Sequence, residues 1–219
     1  MPFALPSVSR KNFVRGLAQV SPEPLDDRAV DALLAHYREL SLWNRRLSLI
    51  GPGTSGEILA RHYGESLAAL PLIPTDARFG LDISSGAGFP GLVLAAARPG
   101  MEMTLVESRE EKWAFLTSAA RKASLPCRCL NVRVSVPLPA GLPASLDVVT
   151  ARALKLDPPV LGALAERLGP DGRILLWVGE ENPDLPPVLA PGDSVKIPGS
   201  EHRRILEIRR TDRERQEIR

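Results

Sequence analysis

The chain has little of several things that would announce a function. Two cysteines, Cys127 and Cys129, and three histidines occur in 219 residues. With no second cysteine pair, a zinc site built from Cys and His is not expected, nor any other resident metal. Two residues apart on an extended segment, the thiols share one face and read as reduced, half-buried groups. Aromatic residues make up 5% of the chain, too few for a large base-stacking platform. No apolar run approaches bilayer-spanning length, and the first twenty residues hold no apolar stretch of signal-peptide length. A soluble, cytoplasmic protein with no membrane partner is expected. Charge of one sign is missing too: 28 Lys and Arg stand against 26 Asp and Glu, a net +2. Global charge therefore does not announce a nucleic-acid binder, and such a reading must rest on local patches.

What is present is enough apolar material for a substantial core, 44% of residues. Residues 1–75 read as helical. Ser9 is suited to cap a helix carrying Phe13, Val14 and Leu17. Ser21-Pro22 offers the next start. Val30, Leu33, Leu34, Tyr37, Leu40, Trp43 and Leu47 follow at helical spacing, and Gly51-Pro52-Gly53 stops the run. A further helix is expected over 55–70, carrying Ile58, Leu59, Tyr63 and Leu67. From Phe79 the pattern alternates. Strands are expected over 79–83, 103–106, 127–132, 146–150 and 174–178, with helices over 92–97, 109–123 and 159–168. A proline-rich loop over 137–143 stands where another helix could be, and Gly169-Pro170-Asp171-Gly172 reads as a turn. Two weaker strands near 194–197 and 204–208 finish the sheet, and the charged tail from Arg209 is expected to fray. Alternation implies parallel strands with right-handed crossovers. The expected architecture is α/β: a helical region, 1–75, followed by a Rossmann-like domain, 76–219, with a mostly parallel twisted sheet flanked by helices.

The strongest local signal is Leu81-Asp82-Ile83-Ser84-Ser85-Gly86-Ala87-Gly88-Phe89-Pro90-Gly91. It follows a strand and opens a helix, and its small residues let backbone approach a ligand closely. Ligands of open parallel sheets bind at the carboxyl ends of strands. The spacing is not that of a dinucleotide fingerprint, and Pro90 lacks the amide hydrogen a pyrophosphate cradle uses. A cofactor without phosphates suits the loop better. Glu107, about 20 residues beyond the glycines at the end of the second strand, is placed to accept hydrogen bonds from both hydroxyls of a ribose; capping of the helix that follows is a compatible second reading, and the loop upstream favours the first. Arg152, just past the fourth strand, suits a cofactor carboxylate, an RNA phosphate or an ordinary ion pair. Arg61-His62 is a weaker candidate, since a lone histidine is more often packed than catalytic. No acid–base pair is evident.

These residues resemble the glucose-inhibited division protein B family of small-subunit ribosomal RNA methyltransferases, from about Trp43 to Arg209. The family's W-N-x-x-x-N-L-T stands here as Trp43-Asn44-Arg45-Arg46-Leu47-Ser48-Leu49-Ile50, and its R-H-x-x-D-S-L as Arg61-His62-Tyr63-Gly64-Glu65-Ser66-Leu67. Its D-x-G-T-G-x-G-x-P-G loop stands as Asp82 to Gly91, and its S/T-R-A as Ala151-Arg152-Ala153. The resemblance implies a class I methyltransferase fold and methyl transfer from S-adenosylmethionine to N7 of a guanine in 16S ribosomal RNA. It implies a cofactor site of Asp82, Ser84, Ser85, Gly86, Gly88, Phe89, Glu107, Val134, Ser135 and Arg152. Arg45, Arg46, Arg61 and His62 would meet ribosomal RNA or the small subunit. Attack by a guanine N7 lone pair needs no proton removed, which accords with the missing acid–base pair. The chain departs from the pattern at Ser84 for glycine, at Ser48 and Ile50, at Ser135 where a carboxylate is usual, and at Val178-Gly179 for Lys-Gly. These leave two other readings open: a methyltransferase on another substrate, and a non-catalytic cofactor- or RNA-binding protein.

Overall fold

In the computed structural model, which describes residues 3–211, side-chain caps start the first two helices. Ser9 accepts the Asn12 N–H at 3.2 Å and starts α1 (Arg10–Val20). Asp26, rather than Ser21-Pro22, starts α2 (Asp27–Leu47), accepting from Ala29 N at 2.7 Å. Ser21 closes α1 instead, donating its N–H to Leu17 O. Pro24 disfavours helical backbone at Glu23, which keeps α1 and α2 from running together. It ends before the glycine–proline run, at Ser48, whose backbone is left-handed (φ 47°).

The helix expected over 55–70 is broken into a 3-10 stretch Pro52–Glu57, a π-helical stretch Leu59–Gly64, one turn of α3 (Glu65–Leu67) and a 3-10 turn Leu70–Leu72. An unbroken amphipathic helix would send some of these residues to solvent. Here Tyr63, Gly64, Glu65, Ser66 and Leu67 are all buried, and the backbone leaves the α repeat to bury them.

The alternating half gives β1 (Phe79–Ile83), α4 (Gly91–Ala97), β2 (Glu102–Val106), α5 (Glu110–Lys122), β3 (Cys127–Leu130), β4 (Leu146–Ala151), α6 (Pro158–Ala165), β5 (Leu168–Val178), β6 (Leu189–Lys196) and β7 (Arg204–Arg210). One sheet holds all seven strands in the order β3-β2-β1-β4-β5-β7-β6. The pairs from β3 to β5 are parallel, and β7 runs antiparallel to both β5 and β6. Chain order reverses between β1 and β4, the position at which such sheets open a crevice. The run Gly169 to Gly172 is not a turn before β5 but a bulge within it. The β4 register jumps there from Leu146↔Leu168 to Val148↔Arg173. A Cβ on Gly172 would stand 2.7 Å from Leu146 O, so only glycine lets the bulge fold back onto β4. Arg209 and Arg210, expected to fray, lie in β7, and Arg209 pairs with buried Glu207 at 2.9 Å. The remainder of that tail, 212–219, lies outside the described residues.

Period-two alternation sorts the strands onto two cores. Met103, Leu105, Val148, Leu175 and Ile205 face α4, α5 and the N-terminal helices, while Leu81, Ile83, Val149, Ala151, Ile174 and Leu176 face α6. The N-terminal helices share the first core, with Phe13, Leu33, Leu40 and Tyr63 fully enclosed. No helix among the described residues is long and apolar enough to cross a membrane.

His36 of α2 is also fully enclosed, among the rings of Tyr63, Phe89 and Phe115. Burial pushes its pKa down from 6.5 to about 4. His62 likewise falls to about 4, through burial and then the charges of Arg152 and Arg61. Between pH 6.5 and 4 the unfolded chain therefore binds two protons that the folded chain refuses. This stability is whole above pH 6.5 and is lost as pH falls toward 4. Asp82 acts oppositely: burial raises it from 3.8 to about 6, so the folded state gains one proton in part of that window. Denaturant midpoints should accordingly fall between pH 7 and 4.5, and His36→Gln should reduce that slope by about one proton. In the core, Leu33→Ala should lower unfolding free energy by about 2–5 kcal/mol, as measured in denaturant at pH 7.

Candidate functional site

The loop joining β1 to α4 turns on three left-handed residues: Ser84 (φ 61°), Gly86 (55°) and Gly88 (85°). Two are glycines, for which the conformation carries no Cβ penalty. At Ser84 it costs about 1–2 kcal/mol. Gly88 is further restricted, because a Cβ there would stand 2.6 Å from Leu92 Cδ1.

Asp82 lies beneath the loop with no exposure. Its Oδ2 accepts Gly91 N at 3.2 Å and its Oδ1 accepts Thr150 Oγ1 at 2.7 Å. The carboxylate thus ties the start of the loop to its end and to β4. Gly91 has to be glycine for this, since a Cβ would stand 2.6 Å from Asp82 Oδ2. Ser85 is buried as well; it donates its N–H to Val106 O at 3.0 Å and its hydroxyl to Asp82 O at 3.0 Å. Both side chains shape the loop from below instead of facing its open side.

Glu107, at the tip of β2, is turned toward the loop. Its Oε2 accepts Gly86 N at 3.1 Å and its Oε1 accepts Arg109 N at 2.9 Å. One carboxylate thus faces the loop and also accepts the N–H of Arg109, the residue that precedes α5. Each oxygen can accept one bond more. Beside it opens a cavity of about 300 Å3, lined by Ile83, Ser84, Val106, Ser108, Val134 and Leu156 among others. It lies on the α6 side of the sheet. Ser135 is exposed beyond the lining residues.

The other flank of the loop faces the N-terminal helices. Phe89 is buried, with ring centroids 5.1 Å from His62, 5.1 Å from Tyr63 and 5.2 Å from His36. Only its backbone remains for a ligand. Next to this knot, buried Glu65 pairs with three arginines. Arg152 Nη2 lies at 2.8 Å, Arg203 Nη2 at 2.6 Å and Arg61 Nε at 3.1 Å. Burial lowers the Arg152 pKa, which Glu65 partly restores. Three guanidinium groups on one carboxylate leave an excess of positive charge. Arg152 Nη1 is buried with no hydrogen-bond acceptor. Such a donor is open to a ligand or water oxygen. His62 is half-buried and joined to Thr54 Oγ1 at 2.9 Å. Arg45 and Arg46 stand exposed in the last turn of α2.

Sequence reading singled out neither His36 nor Arg203, and used Glu65 only as part of a motif. His36 Nε2 stands 2.9 Å from Ala87 O and its Nδ1 2.9 Å from Tyr63 OH. A buried residue in the middle of the α2 stripe could have been noticed as the polar exception to that stripe. Arg203 carried no local signal.

The family model for rRNA small subunit methyltransferase G (GidB) matches residues 29–184. The ribosomal RNA small subunit methyltransferase G of Paramagnetospirillum magneticum is 40% identical over 137 residues, which span 63% of this chain and 64% of that protein. The protein of the same name from Parvibaculum lavamentivorans is 36% identical over 169 residues, 76% of this chain and 72% of its own length. Among solved structures, a SAM dependent methyltransferase from Aquifex aeolicus superposes with a TM-score of 0.54 at 16% identity, over 74% of this chain and 94% of that one. The mitomycin 7-O-methyltransferase MmcR superposes with 0.54 at 18% identity, over 93% and 74%. At such identities these two speak for the class I methyltransferase fold alone. With its sheet order, its left-handed loop and a family model covering most of its length, this chain belongs to the rRNA small subunit methyltransferase G family.

Proposed function

We propose that the protein transfers a methyl group from S-adenosylmethionine to N7 of a guanine in 16S ribosomal RNA, acting in the cytoplasm on that RNA or on the small subunit. The observation that carries this reading is Glu107 facing the left-handed Gly86 turn, between Val106 and Ser108, which line the cavity. Glu107 would accept the ribose hydroxyls. Ser84 and Val134 would wall the adenosine in the cavity they line. The backbone of Gly86, Gly88 and Phe89 would lie along the amino-acid part, while Asp82 and Ser85 act on it through loop shape. The donors fit a cofactor without phosphates. At the start of α4, Pro90 has no N–H and the Gly91 N–H is taken by Asp82, so no pyrophosphate cradle is free. The orphaned Arg152 Nη1 suits a carboxylate of the cofactor or an RNA phosphate.

When bound, the cofactor supplies an electrophilic methyl on sulfonium. The protein's part is to hold the guanine in line with it and to exclude water. No side chain has to remove a proton from N7, because that lone pair is free. Arg61, Arg45 and Arg46, with His62 packed against Phe89, would hold RNA on the N-terminal side. Phosphate contacts of this kind make affinity fall with salt. The exposure of Arg45 and Arg46 supports a large polyanionic substrate over a small molecule sealed in a pocket.

Incubation with methyl-labelled S-adenosylmethionine and small subunits lacking the modification should place label in 16S RNA as 7-methylguanosine after nuclease digestion. Cofactor binding without transfer to any ribosomal RNA would overturn the RNA assignment. In calorimetry, Glu107→Ala should raise the Kd for S-adenosylmethionine at least tenfold, since the variant loses the ribose acceptor and leaves Gly86 N unpaired.

A further inference from the structure

The loop is held from both of its flanks. On the cavity side Glu107 takes the N–H of Gly86. On the opposite side His36 takes the carbonyl of the next residue, Ala87, at 2.9 Å. A carbonyl only accepts, so His36 Nε2 carries the hydrogen. Its Nδ1 is then the acceptor for the Tyr63 hydroxyl at 2.9 Å. Both ring nitrogens are satisfied, one tautomer is selected, and the imidazole has no exposure. The ring lies hard against the loop: a Cβ on Gly88 would stand 3.0 Å from Nε2. Among the described residues, the other hydrogen bonds of the 84–88 backbone stay within the loop or go to Val106 of β2, to Glu107 and to Leu92 of α4. His36 is therefore the polar tie between the loop and the N-terminal helices. Tyr63, its second partner, belongs to the π-helical stretch that also carries Arg61 and His62, and Glu65 follows directly after it.

We propose that His36 is a positioning residue for the cofactor loop, and that through Tyr63 it links occupation of that loop to the segment Leu59–Leu67 that gathers the arginines. The link rests on the assignment of the loop to S-adenosylmethionine. Its physical content is a chain of two buried hydrogen bonds, Tyr63 O–H to Nδ1 and Nε2–H to Ala87 O, in which each bond holds the orientation of the next. A loop carbonyl that loses its donor is free to rotate, and the left-handed turn on either side of it loses definition.

Three variants of the full chain test this: His36→Leu, His36→Gln and Tyr63→Phe. Glutamine keeps a donor within reach of Ala87 O and an acceptor for Tyr63; leucine keeps neither. Calorimetry should show the Kd for S-adenosylmethionine raised about tenfold or more in His36→Leu, restored to within about threefold by His36→Gln, and raised by less in Tyr63→Phe. Hydrogen exchange supplies a readout that stability alone does not move. Adding S-adenosylmethionine should slow amide exchange across 59–67 in the wild type and in His36→Gln, and should leave it unchanged in Tyr63→Phe at saturating cofactor. Wild-type affinity in His36→Leu, or equal protection of 59–67 in Tyr63→Phe, would overturn the inference while the cofactor assignment stands. Failure of the wild-type chain to bind S-adenosylmethionine would overturn both.

Discussion

Much of this molecule depends on one buried carboxylate. Asp82 sits near the end of β1 with no exposure, and its oxygens join the far end of the loop, through Gly91, to the neighbouring strand β4, through Thr150. A buried charge without partners is strongly disfavoured. Burial accordingly raises its pKa to about 6, while the hydrogen bonds from Thr150, Ser85 and Gly91 oppose that rise. The arrangement forces the chain between Asp82 and Gly91 to close into a tight turn, which requires left-handed backbone at three positions. Everything proposed for the site follows from the shape of that turn.

Glu107 and His36 then hold the closed turn from its two flanks. One comes from the sheet, the other from the N-terminal helices, so both halves of the chain contribute to one loop. This is why the N-terminal helices share a core with α4 and α5. The same packing brings Glu65 beneath Arg152 and Arg203, which lie 87 and 138 residues away from it in sequence. The cluster keeps excess positive charge and one buried donor without an acceptor, Arg152 Nη1, at a position beside the loop. A nearly neutral chain thereby concentrates cationic character where a polyanion would have to meet the methyl group.

Strand positions were legible because parallel strands covered on both faces read as short, nearly continuous buried runs, such as Leu81-Asp82-Ile83 and Leu146 to Thr150. Ser9 and the loop glycines were legible because caps and left-handed turns are local. The helix over 55–70 was not. Its breaks arise from burying Glu65 and Ser66 together with Tyr63 and Leu67, and no local propensity asks for that. The bulge at Gly169 to Gly172 was misread as a turn because glycine and proline mark both, and only pairing with β4 distinguishes them. Asp82 and Ser85 were grouped with residues that face the cofactor, although strand alternation and the bonds beneath the loop point their side chains inward.

By itself the sequence determined the α/β order, the loop with its neighbouring acidic residue, and the family, since each of these is carried by residues close together in the chain. Tertiary structure alone decided that Arg152 turns to Glu65, that Phe89 packs inward, and that His36 supports the loop. Each of those outcomes is a choice among several partners for one polar or aromatic group. The choice is made by which side chains the packed core brings within hydrogen-bonding distance.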